Sequence, residues 1–127
     1  MVGCMSTIEG PSVGHTITTE PVGGVARATF NGVVVAESDE ALCLREAGLP
    51  PVVYFPPAGV RWDYFTPSEL STRCPFKGDA SYWTVEVGER RSESIAWSYL
   101  EPLPARADIA GHVAFYVARL DALETPG

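Results

Sequence analysis

The chain has 127 residues, 46% of them hydrophobic, and a formal net charge of -7, which is enough for one domain with one real core. That charge repels phosphate backbones and anionic lipid, and no Lys/Arg cluster exceeds Arg90-Arg91, so nucleic-acid and membrane partners are not expected. With no apolar run long enough to span a bilayer and no basic start leading into an apolar block, a soluble cytoplasmic protein is expected, monomeric or homodimeric.

Residues 1–14 mix Gly, Ser, Pro and Thr without periodicity and read as a flexible arm, leaving residues 15–127 as a single domain. Residues 15–20 read as a short edge strand closed by Pro21 and Gly23-Gly24. Residues 25–30 and 33–37 flank Asn31-Gly32, a pair that takes the positive φ values of a type I′ hairpin turn. Residues 38–48 carry two patterns: Ser38 can cap a helix that Gly48 stops, while Leu42, Leu44 and Glu46 alternate as in a strand. One turn of helix followed by a strand satisfies both.

Residues 52–55 are an evident strand, and residues 58–71, with Trp62, Tyr64 and Phe65, read as a connection that packs its own aromatics. In residues 72–79 Pro75 pushes Cys74 out of the helical region and Gly78 can take a positive φ, so a shaped loop is expected, running into a central strand over 80–87. Another strand over 92–99 would put Ile95, Trp97 and Tyr99 on one face and Ser94, Ala96 and Ser98 on the other. A helical turn over 108–111 and a last strand, with Val113, Phe115 and Val117 alternating against His112, Ala114 and Tyr116, complete the chain. The sum is a mainly β protein, a compact antiparallel barrel or bent sheet of about six to eight strands with one or two short helical turns.

Chemistry concentrates in residues 72–83. Cys74 stands three residues before Lys77, whose ammonium would raise the thiolate fraction and make a nucleophile; burial as a small hydrophobe is the commoner fate of such a residue. Lys77 can bind a carboxylate or phosphate, or pair with Glu46 or Asp79. Glu46, in an apolar strand context, is either a general acid/base or half of a structural ion pair. Tyr54, Tyr82, Trp83, Trp97 and Tyr99 either line a ligand pocket with their hydroxyl and indole donors or form the large pieces of the core. His15 and His112 are too isolated to argue for a metal. Cysteines at 4, 43 and 74 fit neither a disulfide framework nor a Cys-x-x-Cys site. Reduced thiols and no metal or cofactor are expected.

Several segments resemble the bacterial and fungal domain of unknown function 427 family. They are Asn31-Gly32-x-Val34-Val35-Ala36-Glu37-Ser38, Leu44-x-Glu46, Tyr54-Phe55-Pro56, Thr72-x-Cys74-Pro75-Phe76-Lys77-Gly78-x-Ala80-x-Tyr82-Trp83, Trp97-Ser98-Tyr99-x-x-Pro102 and Ala114-Phe115-Tyr116. The resemblance covers residues 15–120 and implies a compact, mostly β fold, similar in outline to Mss4-like or β-tent barrels, with no established activity. The family also carries a nucleotidyltransferase label, but this chain has neither a Gly-Ser followed by paired aspartates nor a P-loop. Where the family usually has an acidic residue after Tyr-Phe-Pro, Gly59 stands here. The zinc knuckles of β-tent relatives have no counterpart. The resulting expectation is a domain that binds a small polar or anionic molecule in a pocket lined by residues 74–83. The alternatives are an enzyme using Cys74 or Glu46, or a protein-interaction module.

Overall fold

The computed structural model describes residues 17–46, 48–74 and 77–126; the expected arm over 1–14 and His15 lie outside them. Ten strands form among the described residues: β1 (Ile17–Pro21), β2 (Ala26–Phe30), β3 (Val33–Ser38), β4 (Leu42–Glu46), β5 (Val52–Tyr54), β6 (Phe65–Cys74), β7 (Gly78–Val87), β8 (Arg90–Ser98), β9 (Val113–Phe115) and β10 (Ala122–Glu124). They make three antiparallel sheets, ordered β1-β4-β5, β10-β2-β3 and β6-β7-β8-β9. No closed barrel results. Phe55 and Val113 exchange two backbone hydrogen bonds of 2.8 Å, which join the first sheet to the third edge to edge, and the Arg61 amide donates to the Val35 carbonyl at 2.9 Å, tying in the second.

The Asn31-Gly32 hairpin forms as its sequence predicts, with φ of 50° and 78° at the two turn residues. Residues 38–41, by contrast, form no helical turn. The Ser38 hydroxyl accepts from the Glu40 amide at 2.9 Å, closing a bend, and β4 is then claimed on both sides by β1 and β5. Alternation in β4 and β5 is apolar on both faces: Cys43 and Val53 enter the main core, while Leu44 and Tyr54 enter a second core. Cys43 is fully buried and disulfide-bonded, which corrects the expectation of reduced thiols. Wide spacing along the chain sets no limit on proximity once strands pair. Cys4 and the side chain of Cys74 lie outside the described residues.

The connection after β5 begins with 3₁₀ turns at Pro57–Gly59 and Trp62–Tyr64 and packs its own aromatics, Trp62 lying 5.5 Å from Phe65 and 4.9 Å from Trp83 between ring centroids. From Phe65 onward it is strand β6, and much of the expected shaped loop over 72–79 is paired strand, Thr72 opposite Ala80 and Cys74 opposite Gly78, with Pro75 and Phe76 outside the described residues. Gly59 packs so closely that a Cβ there would fall 2.5 Å from the Glu37 carbonyl oxygen; the missing carboxylate has no room in this arrangement. Pro104–Ile109 forms the later helical turn, earlier than expected, and Val117–Arg119 is a 3₁₀ turn rather than strand.

Within β8 the alternation breaks. Ala96 lies opposite Trp83 but Ser92 lies opposite Val85, so extra residues on β8 face Thr84. Ser94 absorbs this bulge at φ 55°, its amide donating to the Thr84 hydroxyl at 3.2 Å. As a result Ile95 packs in the main core with Ala96, while Trp97 and Tyr99 pack in the second. The expected common face of Ile95 with Trp97 and Tyr99 is thereby corrected.

Asp121 staples three chain segments together. Its carboxylate accepts from the Gly32 amide at 2.8 Å and from Arg90 at 2.6 Å, and the Arg90 guanidinium lies 4.5 Å from the centroid of the Phe30 ring. The Gly32 amide, and then Arg90, hold the carboxyl below the ordinary carboxylate range. A carboxyl lowered in the folded state stabilises it fully above the unfolded pKa of about 3.9 and loses that contribution as pH falls through the folded value. Urea titrations of wild type and Asp121→Asn should therefore differ at pH 7 and converge as pH falls below about 4. A pH-independent difference would exclude the charge as the cause.

Candidate functional site

Alternation along β4 puts Glu46 on the face of Leu42 and Leu44, the face of the second core. Lys77 stands just before β7, and its backbone is held in place. The Leu103 amide donates to the Lys77 carbonyl at 2.8 Å. Gly78 has φ 120°, as anticipated, and a Cβ on it would lie 3.3 Å from the Pro102 backbone. Lys77 Nζ donates to Glu46 Oε1 at 2.6 Å, and both side chains are 9% exposed. Of the partners weighed for Lys77, Asp79 instead pairs with the exposed Arg73 at 3.0 Å. An ammonium has three N–H donors. Among the described residues only Glu46 accepts from this one, leaving two donors of a side chain that is about nine-tenths buried.

Four of the five aromatics singled out from the sequence meet in the second core: Tyr54 from β5, Tyr82 from β7, Trp97 from the end of β8 and Tyr99 just after it, around Leu44, Ala80, Ile109 and Ala114. Trp97 Nε1 donates to the Tyr54 hydroxyl at 3.3 Å. Trp83 points to the opposite face, where its Nε1 donates to the fully buried Ser98 hydroxyl at 3.0 Å.

Tyr116 belongs with the site although the sequence reading did not select it. Its ring lies 4.8 Å from Trp97 and 6.5 Å from Tyr82, nearly parallel to the latter. A hydrogen bond with Tyr82, followed by partial burial, raises its phenol above the ordinary value. The available signal was parity: Tyr116 stands two residues after Ala114, on the face that β9 gives to the second core.

The backbone of Cys74 ends β6 opposite Gly78; the nucleophile expected there rests on a side chain outside the described residues. His112 Nδ1 lies 3.3 Å from the Ala110 carbonyl, a local contact. A cavity of about 200 Å³ is lined by Pro51, Val52, Val53, Phe115, Val117, Leu123 and Thr125, and Lys77 is not among the residues that line it.

Among the described residues no helix is long and apolar enough to cross a membrane. No curated protein matches the chain. Residues 18–125 match the family described as Domain of unknown function (DUF427), and the chain belongs to that family.

Proposed function

We propose that this domain binds a small polar molecule at the second-core face, with an acceptor group of the ligand, a carboxylate or phosphate oxygen, meeting the Lys77 ammonium. The observation that carries the reading is the two N–H donors of a buried Lys77 for which no described residue supplies an acceptor. A buried donor left unmade costs about 1–3 kcal/mol, so an acceptor from outside the chain gains what the protein does not provide. Glu46 keeps the ammonium oriented; Leu44, two residues before Glu46 on the same face of β4, packs with Tyr54, Tyr82, Trp97 and Tyr99, which in this reading supply hydroxyl and indole groups to the ligand. The ion pair favours binding over general acid/base catalysis by Glu46, because withdrawing that carboxylate would leave Lys77 buried without its counter-charge.

Thermal melts with inorganic phosphate and with acetate, at ionic strength held constant with NaCl, test the reading. Wild type should gain stability in proportion to the logarithm of anion concentration above Kd. The double variant Lys77→Met with Glu46→Gln should gain nothing. An equal gain in both proteins, or no gain with either anion, would remove Lys77 as the binding group.

A further inference from the structure

Tyr82 on β7, Trp97 on β8 and Tyr116, the residue that follows β9, lie side by side. Tyr82 is directly opposite Trp97 in the register, and Trp97 is opposite Ala114, two residues before Tyr116. Ring centroids are 6.4, 4.8 and 6.5 Å apart, so the rings pack on one another as a shelf rather than enclosing a cage. The inner edge is buried at Tyr82, while the outer edge is open at Tyr116, which is 42% exposed. Hydroxyls stand at its rim: that of Thr72 is 3.1 Å from the Tyr82 hydroxyl, and Tyr116 carries its own. The indole of Trp97 is pinned from beneath by its bond to Tyr54. Such a surface offers ring faces already fixed in place, with polar groups at the rim, so a ligand meets little ordering cost.

Charge narrows what can settle there. Arg119 is near enough for its charge to act on the Tyr116 phenol, which disfavours a cation over these rings. The net charge of -7 disfavours an anion. A neutral ring with an apolar face and hydroxyls at its rim matches both the rings and the hydroxyl row. We propose that the Tyr82–Trp97–Tyr116 shelf binds a pyranose sugar, its C–H face against Trp97 and Tyr116 and its hydroxyls exchanging hydrogen bonds with the tyrosine and Thr72 hydroxyls. The inference shares Tyr82 and Trp97 with the Lys77 reading but does not use the ammonium.

Titration with cellobiose, followed by tryptophan fluorescence and by side-chain chemical shifts of the three rings, is the test. Saturable changes with a Kd of roughly millimolar order are expected, and Tyr116→Ala, at an exposed site, should weaken them about tenfold or more. Tetramethylammonium chloride serves as the cationic comparison. No saturable change up to ~100 mM cellobiose, an unchanged Kd in Tyr116→Ala, or saturation by tetramethylammonium in place of the sugar would each overturn the proposal. The Lys77→Met, Glu46→Gln protein keeps all three rings. Sugar binding retained there without any anion effect in wild type would remove the Lys77 reading alone, and an anion effect without sugar binding would remove the shelf alone.

Discussion

Lys77→Met by itself should lower the unfolding free energy by about 3–5 kcal/mol, read from urea denaturation. Methionine keeps most of the packing of the lysine stem but removes the charge, leaving the Glu46 carboxylate buried without the cation 2.6 Å away. Burial sets the magnitude. An exposed pair would change stability by about 0–1 kcal/mol, whereas both partners here are 9% exposed. Adding Glu46→Gln removes the charge that lost its cation and should recover most of the loss, because a buried pair replaced on both sides is often close to neutral. That recovery makes the double variant the right protein for ligand tests. A loss in the single variant below about 1 kcal/mol would show the pair to be screened by solvent and would refute its burial.

Phe55→Ala should cost about 3–5 kcal/mol, the usual range for removing a buried aromatic ring from a core. Phe55 is fully buried, its ring is edge-on to Phe115 at 5.8 Å, and its backbone forms the two hydrogen bonds that join the first and third sheets. Cavity and seam would therefore be weakened together. Leu100→Ala, at a residue that is 53% exposed, should stay within about 0.5 kcal/mol. Since Phe55 belongs to the main core and not to the tyrosine-rich face, the variant should melt earlier yet keep the same anion-dependent gain. Loss of that gain would tie the two cores together more closely than their packing suggests.

The two proposals place different demands on the protein. The Lys77 end offers a buried charge with donors to spare, and the Tyr116 end offers exposed rings with hydroxyls. A ligand using both would carry a ring and an acceptor group, and titrating cellobiose in the presence of phosphate would show whether the two ends are coupled.

Local stereochemistry is what the sequence alone determined. Asn31-Gly32 dictated its turn because few other pairs reach those φ values cheaply, and the β-branched and aromatic runs dictated a mainly antiparallel β fold with β1 at an edge. Gly78 announced its positive φ at the start of β7, and Glu46 was a named candidate partner for Lys77 because a charge in an apolar strand needs one. Everything that depended on pairing between distant strands waited for the tertiary structure. The Ser94 bulge moved Ile95 to the opposite core from Trp97, an effect of register against β7 that no period-2 count along β8 contains. Strand β6 looked like a connection because its edge position leaves most of its side chains in water and removes the apolar alternation, and three-residue β10 exists through its pairing with β2. Ser38 could cap a helix in isolation, but β1 and β5 flank the segment that follows and satisfy its backbone as strand. The choice between the two faces for Tyr82 and Trp83, and the place of Tyr116 beside Trp97, were likewise set by contacts between strands far apart in the chain, where local propensity carries no information.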